Sequence, residues 1–158
     1  TGKKVHLVGV SMGGLLLKIY AHRHPEHVAS VHTVASPIQD AANSSYLAYL
    51  QPLFEKIGRN PLTPELNEEL RASLQVPHFS YVASRDEIVA PELCVGPKTQ
   101  YYDSGHIEML FRPDVCADIM TNISQIAGHP KQNHLLGRLE NTLDELSHYL
   151  PTNERNGL

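Results

Sequence analysis

Ser11 stands in Gly9-Val10-Ser11-Met12-Gly13, directly after the apolar run Val5-His6-Leu7-Val8 and ahead of Gly14-Leu15-Leu16-Leu17-Lys18-Ile19-Tyr20. The run before it reads as a strand and the run after it as a helix, so the serine falls on the turn between them. A sharp turn of this kind lifts a hydroxyl clear of the backbone. It calls for glycine two residues before and two after, where a β-carbon is expected to clash. The following helix aims unpaired N–H groups and its positive dipole end at the serine, where charge develops when a hydroxyl attacks a carbonyl. The chemistry on offer is nucleophilic acyl transfer. Plain tight turns and phosphate cradles share such glycines, but no Gly-Lys-Ser/Thr follows here and the G-x-G-x-x-G spacing of dinucleotide sites is absent.

A serine hydroxyl is a poor nucleophile until a base takes its proton, and a histidine base needs a carboxylate to fix its tautomer. Of the ten histidines, His106 is the best placed, in Tyr101-Tyr102-Asp103-Ser104-Gly105-His106 just past a strand, where a loop can carry it over the sheet edge. His22, His24 and His27 surround the end of the first helix and read as solvated or capping residues. His6 and His32 fall inside strands and read as satisfied core residues, while His129, His134 and His148 belong to a C-terminal helical region. Asp86 is the best acid. It leaves the strand Phe79–Ala83 in the loop Ser84-Arg85-Asp86-Glu87-Ile88-Val89, at the sheet edge where catalytic groups collect. Asp40 after the second strand is its main rival, Glu87 serves if the loop register differs, and Asp103 reads as a turn residue.

Alternating strand and helix signals place these residues in an α/β architecture. Strands are expected over Lys4–Val10, Val28–Ala35, Val76–Ala83 and Lys98–Tyr102, and helices over Met12–His24, Leu66–Leu74, Asp114–Ala127 and Asn133–Leu150. Thr63 is a plausible cap and Pro64 suits a first helical position. Leu135, Leu136, Leu139, Leu143, Leu146 and Leu150 form a stripe too short for a coiled coil, which implies a core-facing helix. The tail 151–158 is polar.

The chain has 158 residues, 41% hydrophobic and 19% charged, which fits an ordinary globular protein of one domain over 1–150. A net charge of −4 offers no basic footprint for nucleic acid, and no stretch reaches the roughly 18 apolar residues of a transmembrane span. Two cysteines read as buried free thiols. Their spacing and that of the histidines match no zinc pattern of the C-x₂-C or H-E-x-x-H kind, so neither metal nor cofactor is expected. Thr1 is not a methionine and the serine arrives at position 11, so the expectation is a chain whose front half is absent. With it goes any leader, and both a cytoplasmic and a secreted location stay open.

The order Ser11, Asp86, His106 resembles the C-terminal half of the α/β-hydrolase superfamily, in its lipase and esterase branch. The resemblance covers residues 3–127 and rests on Gly9–Gly13, Ser84–Val89, Gly105-His106 and the lipase-like Val31–Pro37. It departs at Pro37-Ile38-Gln39-Asp40, where the family often has Pro-His-x-Gly. The resemblance implies a mostly parallel sheet with flanking helices and a helical cap inserted over 38–75. It implies a nucleophile elbow framed by Gly9 and Gly13, a Ser11-His106-Asp86 triad and the Met12 N–H as half of an oxyanion hole. The expected reaction is hydrolysis of a small-molecule or lipid acyl ester. Acyl transfer or thioester hydrolysis on the same residues is the alternative, and so is a non-catalytic interaction protein that binds through Leu135–Leu150. The second oxyanion donor belongs to a loop with no counterpart here, so the chain alone is expected to be poorly active. Its first strand, apolar on both faces, is expected to have an open edge that favours self-association.

Overall fold

The computed structural model of the chain describes residues 2–39 and 63–128. Residues 1–112 form one compact unit and 113–158 a second. In the first, β1 (Val5–Val10) leads through Ser11 into α1 (Met12–Arg23), and a 3₁₀ turn at Pro25–His27 leads into β2 (Val28–Val34). Then come α2 (Pro64–Arg71), β3 (His78–Ala83), a 3₁₀ turn at Pro91–Cys94, β4 (Lys98–Tyr102) and a 3₁₀ turn at Glu108–Phe111. Among the described residues the strand pairings are all parallel, in the order β1-β2-β3-β4. This is the α/β sheet that the alternating pattern implies.

Burial explains the strand sequences. Every residue of β2 except Ala29 and every residue of β3 except Phe79 is buried, because each strand has neighbours on both sides and the sheet is covered. Among the described residues β1 and β4 are outermost, and Val5 and Val8 of β1 are half exposed. Helix α1 packs on β1 and β2 through Leu15, Ile19 and Ala21. Ala21 joins Val28 and Val31, with Leu7, Leu74 and Val76 against them. A second cluster, Val82, Val89 and Cys94, backs the loop that carries Asp86.

The interior also holds polar groups. Lys18 on α1 is buried, and its ammonium donates to the carbonyls of Ile38 and Leu70, joining α1 to the chain beyond β2 and to α2. Burial pushes its amine down to about 8. Arg23 adds a partly exposed ion pair to Glu69 at 2.9 Å, an interaction of small net value. His32 bridges Ser30 at 2.8 Å and Tyr81 at 3.1 Å, and His78 meets Thr33 at 3.1 Å. His6 meets Ser30 at 2.7 Å, so both strand histidines expected to be satisfied have partners.

The second unit contains α3 (Pro113–Ile126), which Pro113 opens. Two residues past its last turn stands Gly128, whose φ of 69° is the left-handed conformation that glycine adopts without strain. Cys94 is buried but Cys116 on this helix is exposed, which corrects the expectation of two buried thiols. No helix among the described residues is long and apolar enough to cross a membrane. Asp40, most of the 38–75 insertion, the Asn133–Leu150 segment and the 151–158 tail lie outside the described residues.

Candidate active site

The site is assembled at the C-terminal edge of the sheet from the exits of β1, β3 and β4. Ser11 ends β1. Its N–H donates to Val34 O at 2.8 Å, which anchors the turn to the end of β2. Its backbone takes φ 51° and ψ −126°, a conformation that costs a non-glycine residue about 1–3 kcal/mol. Ala35, at the end of β2, also has positive φ, at 45°, and its N–H reaches Tyr81 O at 2.9 Å. The strained residues therefore sit side by side on neighbouring strands.

Glycine is required here at one expected position and at one unexpected one. A β-carbon on Gly9 would meet Gly14 N at 2.6 Å and Gly13 C at 2.7 Å, so the strand end passes the helix start with no room to spare. A β-carbon on Gly13 would meet nothing within 4 Å. The close approach belongs to Gly14, where a β-carbon would lie 2.2 Å from Ser36 Oγ and 2.9 Å from Gly9 O. The expectation that Gly13 packs against Gly9 is thus corrected by one residue: the helix turns Gly14, not Gly13, toward the strand.

Asp86 leaves β3 in a turn closed by its own side chain. Its Oδ1 accepts the N–H groups of Ile88 at 2.9 Å and Val89 at 2.7 Å. Its Oδ2 accepts His106 Nδ1–H at 2.7 Å, and the two side chains are only 1% and 5% exposed. A carboxylate accepts and never donates, so the proton of this bond is on Nδ1. A neutral imidazole then carries its lone pair on Nε2, which lies 3.1 Å from Ser11 Oγ. The hydroxyl donates to the ring, and the ring is oriented to take its proton.

The loop that carries His106 is tied to the loop that carries Asp86. Ser84 N–H donates to Tyr102 O at 2.9 Å and Arg85 N–H to Ser104 O at 3.0 Å, extending the β3–β4 pairing past the strand ends. Glu87, weighed as an alternative acid, bonds the backbone of His106 and not its ring: Oε2 accepts the His106 N–H at 3.0 Å. That bond leads the causes that hold the Glu87 carboxyl below the usual carboxylate range. Glu108 closes the other side, accepting Gly105 N–H at 3.1 Å and the Ser104 hydroxyl at 3.3 Å. These two glutamates carried no distinct sequence signal beyond lying near the acid and the base. Asp103 pairs with Arg85 as an exposed turn residue. Met12 is the first residue of α1, so its N–H has no carbonyl to meet within the helix.

Three comparisons bear on this arrangement. An 81-residue stretch is 36% identical to monoacylglycerol lipase abhd6-B of Xenopus laevis, and it amounts to 49% of this chain and 24% of that one. The solved structure of AbyA5 superposes with a TM-score of 0.59 at 16% identity, over 90% of this chain and 46% of that one. MGS-MChE2, an alpha/beta hydrolase enzyme from the metagenome of lagoon sediments, gives a TM-score of 0.56 at 17% identity, over 78% and 62%. The chain therefore spans less than half the length of the lipase and of AbyA5. The profile of the alpha/beta hydrolase fold matches residues 1–152, and the chain belongs to that family.

Proposed function

We propose that the protein hydrolyses carboxylic esters with Ser11 as nucleophile, His106 as general base and acid, and Asp86 as the group that orients His106. The observation that carries this reading is the pair of hydrogen bonds running from Ser11 Oγ through the imidazole to Asp86 Oδ2. As Ser11 Oγ attacks the ester carbonyl, its proton passes to His106 Nε2, and the buried carboxylate stabilises the imidazolium. The oxyanion forms near the start of α1, where the Met12 N–H and the helix dipole oppose its charge. The imidazolium returns the proton to the leaving alcohol, and an acyl-serine remains. Water then attacks with His106 again as base, releasing the acid and restoring Ser11. The similarity to a monoacylglycerol lipase supports a lipid acyl ester as the substrate class.

A fluorophosphonate probe tests the reading, because it reports an activated serine whatever the natural acyl group. The expected result is one labelled peptide containing Ser11 and no labelling after Ser11→Ala. Folded protein that stays unlabelled, or labelled at another serine, overturns it.

A further inference from the structure

The turn joining α1 to β2 brings together donor atoms that the proposed hydrolysis does not use. His24 follows the last residue of α1, Pro25 starts the 3₁₀ turn, and His27 ends it just before β2. Glu26 Oε1 lies 3.6 Å from His24 Nδ1 and 3.6 Å from His27 Nε2. One donor atom from each of the three residues falls within 4.8 Å of the others. Zinc bonds of about 2.0–2.1 Å in tetrahedral geometry place neighbouring donors about 3.4 Å apart, so closure onto an ion needs movements of only tenths of an ångström for the two shorter pairs.

We propose that His24, Glu26 and His27 form a binding site for a divalent transition-metal ion of the zinc class, with water filling the remaining positions. The donor set, two imidazoles and one carboxylate, suits a borderline-soft ion and not calcium or magnesium. An independent observation is the behaviour of Tyr20, one helical turn before His24. Its hydroxyl is 3.3 Å from His27 Nδ1, and its ring packs on the His24 ring with centroids 4.9 Å apart. A partner on Nδ1 leaves Nε2, the nitrogen facing Glu26, free to hold a metal, as outer partners of ligand histidines do. The two imidazoles are stacked at 13°, and the turn is fixed by His24 N–H to Tyr20 O at 2.8 Å and His27 N–H to His24 O at 3.1 Å. Of the cations near the turn, Lys4 donates its ammonium to Pro25 O at 3.3 Å and Arg23 is paired with Glu69 at 2.9 Å.

The site is remote from Ser11. His27 adjoins the N-terminal end of β2, whereas Ser11 follows the C-terminal end of the parallel β1, a strand length of about 20 Å away. Its role is therefore to clip the end of α1 to the start of β2, and it stands or falls independently of the proposed hydrolysis. Exposure of all three ligands implies binding weaker than that of an enclosed structural zinc site.

The test is calorimetric titration of metal-stripped protein with Zn²⁺, together with NMR of the histidine imidazoles during titration with paramagnetic Ni²⁺. One equivalent of Zn²⁺ is expected to bind, with Ni²⁺ broadening the His24 and His27 rings before any other. Glu26→Gln and His27→Gln should each weaken Zn²⁺ binding tenfold or more, and Tyr20→Phe less than tenfold, all with unchanged circular dichroism. Absence of saturable Zn²⁺ binding at 0.1 mM overturns the proposal. So does binding that survives the His24→Gln/His27→Gln double variant, or Ni²⁺ broadening that begins at other histidines.

Discussion

His32 in the sheet interior and His106 at its edge are almost equally buried, yet their surroundings differ in kind. His32 lies between two hydroxyls, those of Ser30 and Tyr81, and against the ring of Phe79 at 4.9 Å. Burial, followed by the nearby His6, pushes its imidazole down to about 4. His78 behaves alike, pushed to about 4 by burial first and then by Lys18 and His32. His106 instead has a buried carboxylate on one nitrogen and a serine hydroxyl on the other. Burial is common to all three, so burial alone marks no site. A strand histidine with neutral partners glues two strands together, whereas a loop histidine with a carboxylate is equipped to accept a proton.

The largest effect that can break this comparison is on reaction rate. Ser11→Ala and His106→Ala should each lower ester turnover by about 10⁴-fold or more, since such residues act as a unit. His32→Ala should leave labelling of Ser11 intact while costing about 2–4 kcal/mol in a denaturant titration, through the cavity and two orphaned hydroxyls. A His32 variant that folds but does not label would erase the distinction.

Acid supplies the next test. The folded pKa values of His32 and His78 are lowered from 6.5 to about 4, so the unfolded chain binds more protons between those values. Their contribution to stability is whole above pH 6.5 and declines as the pH falls toward 4. Urea midpoints measured across that interval should drop, and less steeply in a His32→Ala background. A flat profile would show that these rings are not held neutral.

Glycine substitutions sharpen the account of the edge. Gly9→Ala forces a β-carbon into backbone atoms at 2.6 Å and should cost about 2 kcal/mol or more, whereas Gly13→Ala meets nothing and should stabilise the helix by about 0.5 kcal/mol. Thermal melts of the two variants decide between this assignment and the reverse. On the rate the smaller effect belongs to Glu87: Glu87→Ala should slow probe labelling about fivefold by freeing the His106 backbone, and Glu87→Gln, which keeps an acceptor oxygen, should restore most of it. Equal losses in both variants would mean that charge, and not the acceptor, is what matters.

Much of this molecule was legible in its sequence. The four strands are visible because β-branched and aromatic residues cluster between Pro, Gly and Asp turns. Ser11, Asp86 and His106, chosen for following strands, meet within hydrogen-bonding distance. What was hidden depends on helical phase and on long-range contact. Which of two adjacent glycines faces the strand is set by the angle at which α1 leaves Ser11. Nothing in the sequence marks Lys18 as buried; its burial depends on the carbonyls of Ile38 and Leu70, which lie 20 and 52 residues away. Val76 and Pro77 look like the start of β3, but the strand begins at His78 because pairing with β2 starts only at Val31.

The way Asp86 divides its two oxygens makes an apparently mild substitution severe. Oδ1 is committed to two backbone N–H groups and Oδ2 to an imidazole N–H, so every group facing this side chain is a donor. An asparagine has one oxygen to offer and must place its NH₂ against donors on one side or the other. With the oxygen toward Ile88 and Val89, the NH₂ requires a lone pair on His106 Nδ1, and the proton moves to Nε2. The ring then donates to Ser11 where it had accepted. Replacing a single oxygen by nitrogen thus reverses the polarity of the whole relay while leaving its atoms in place.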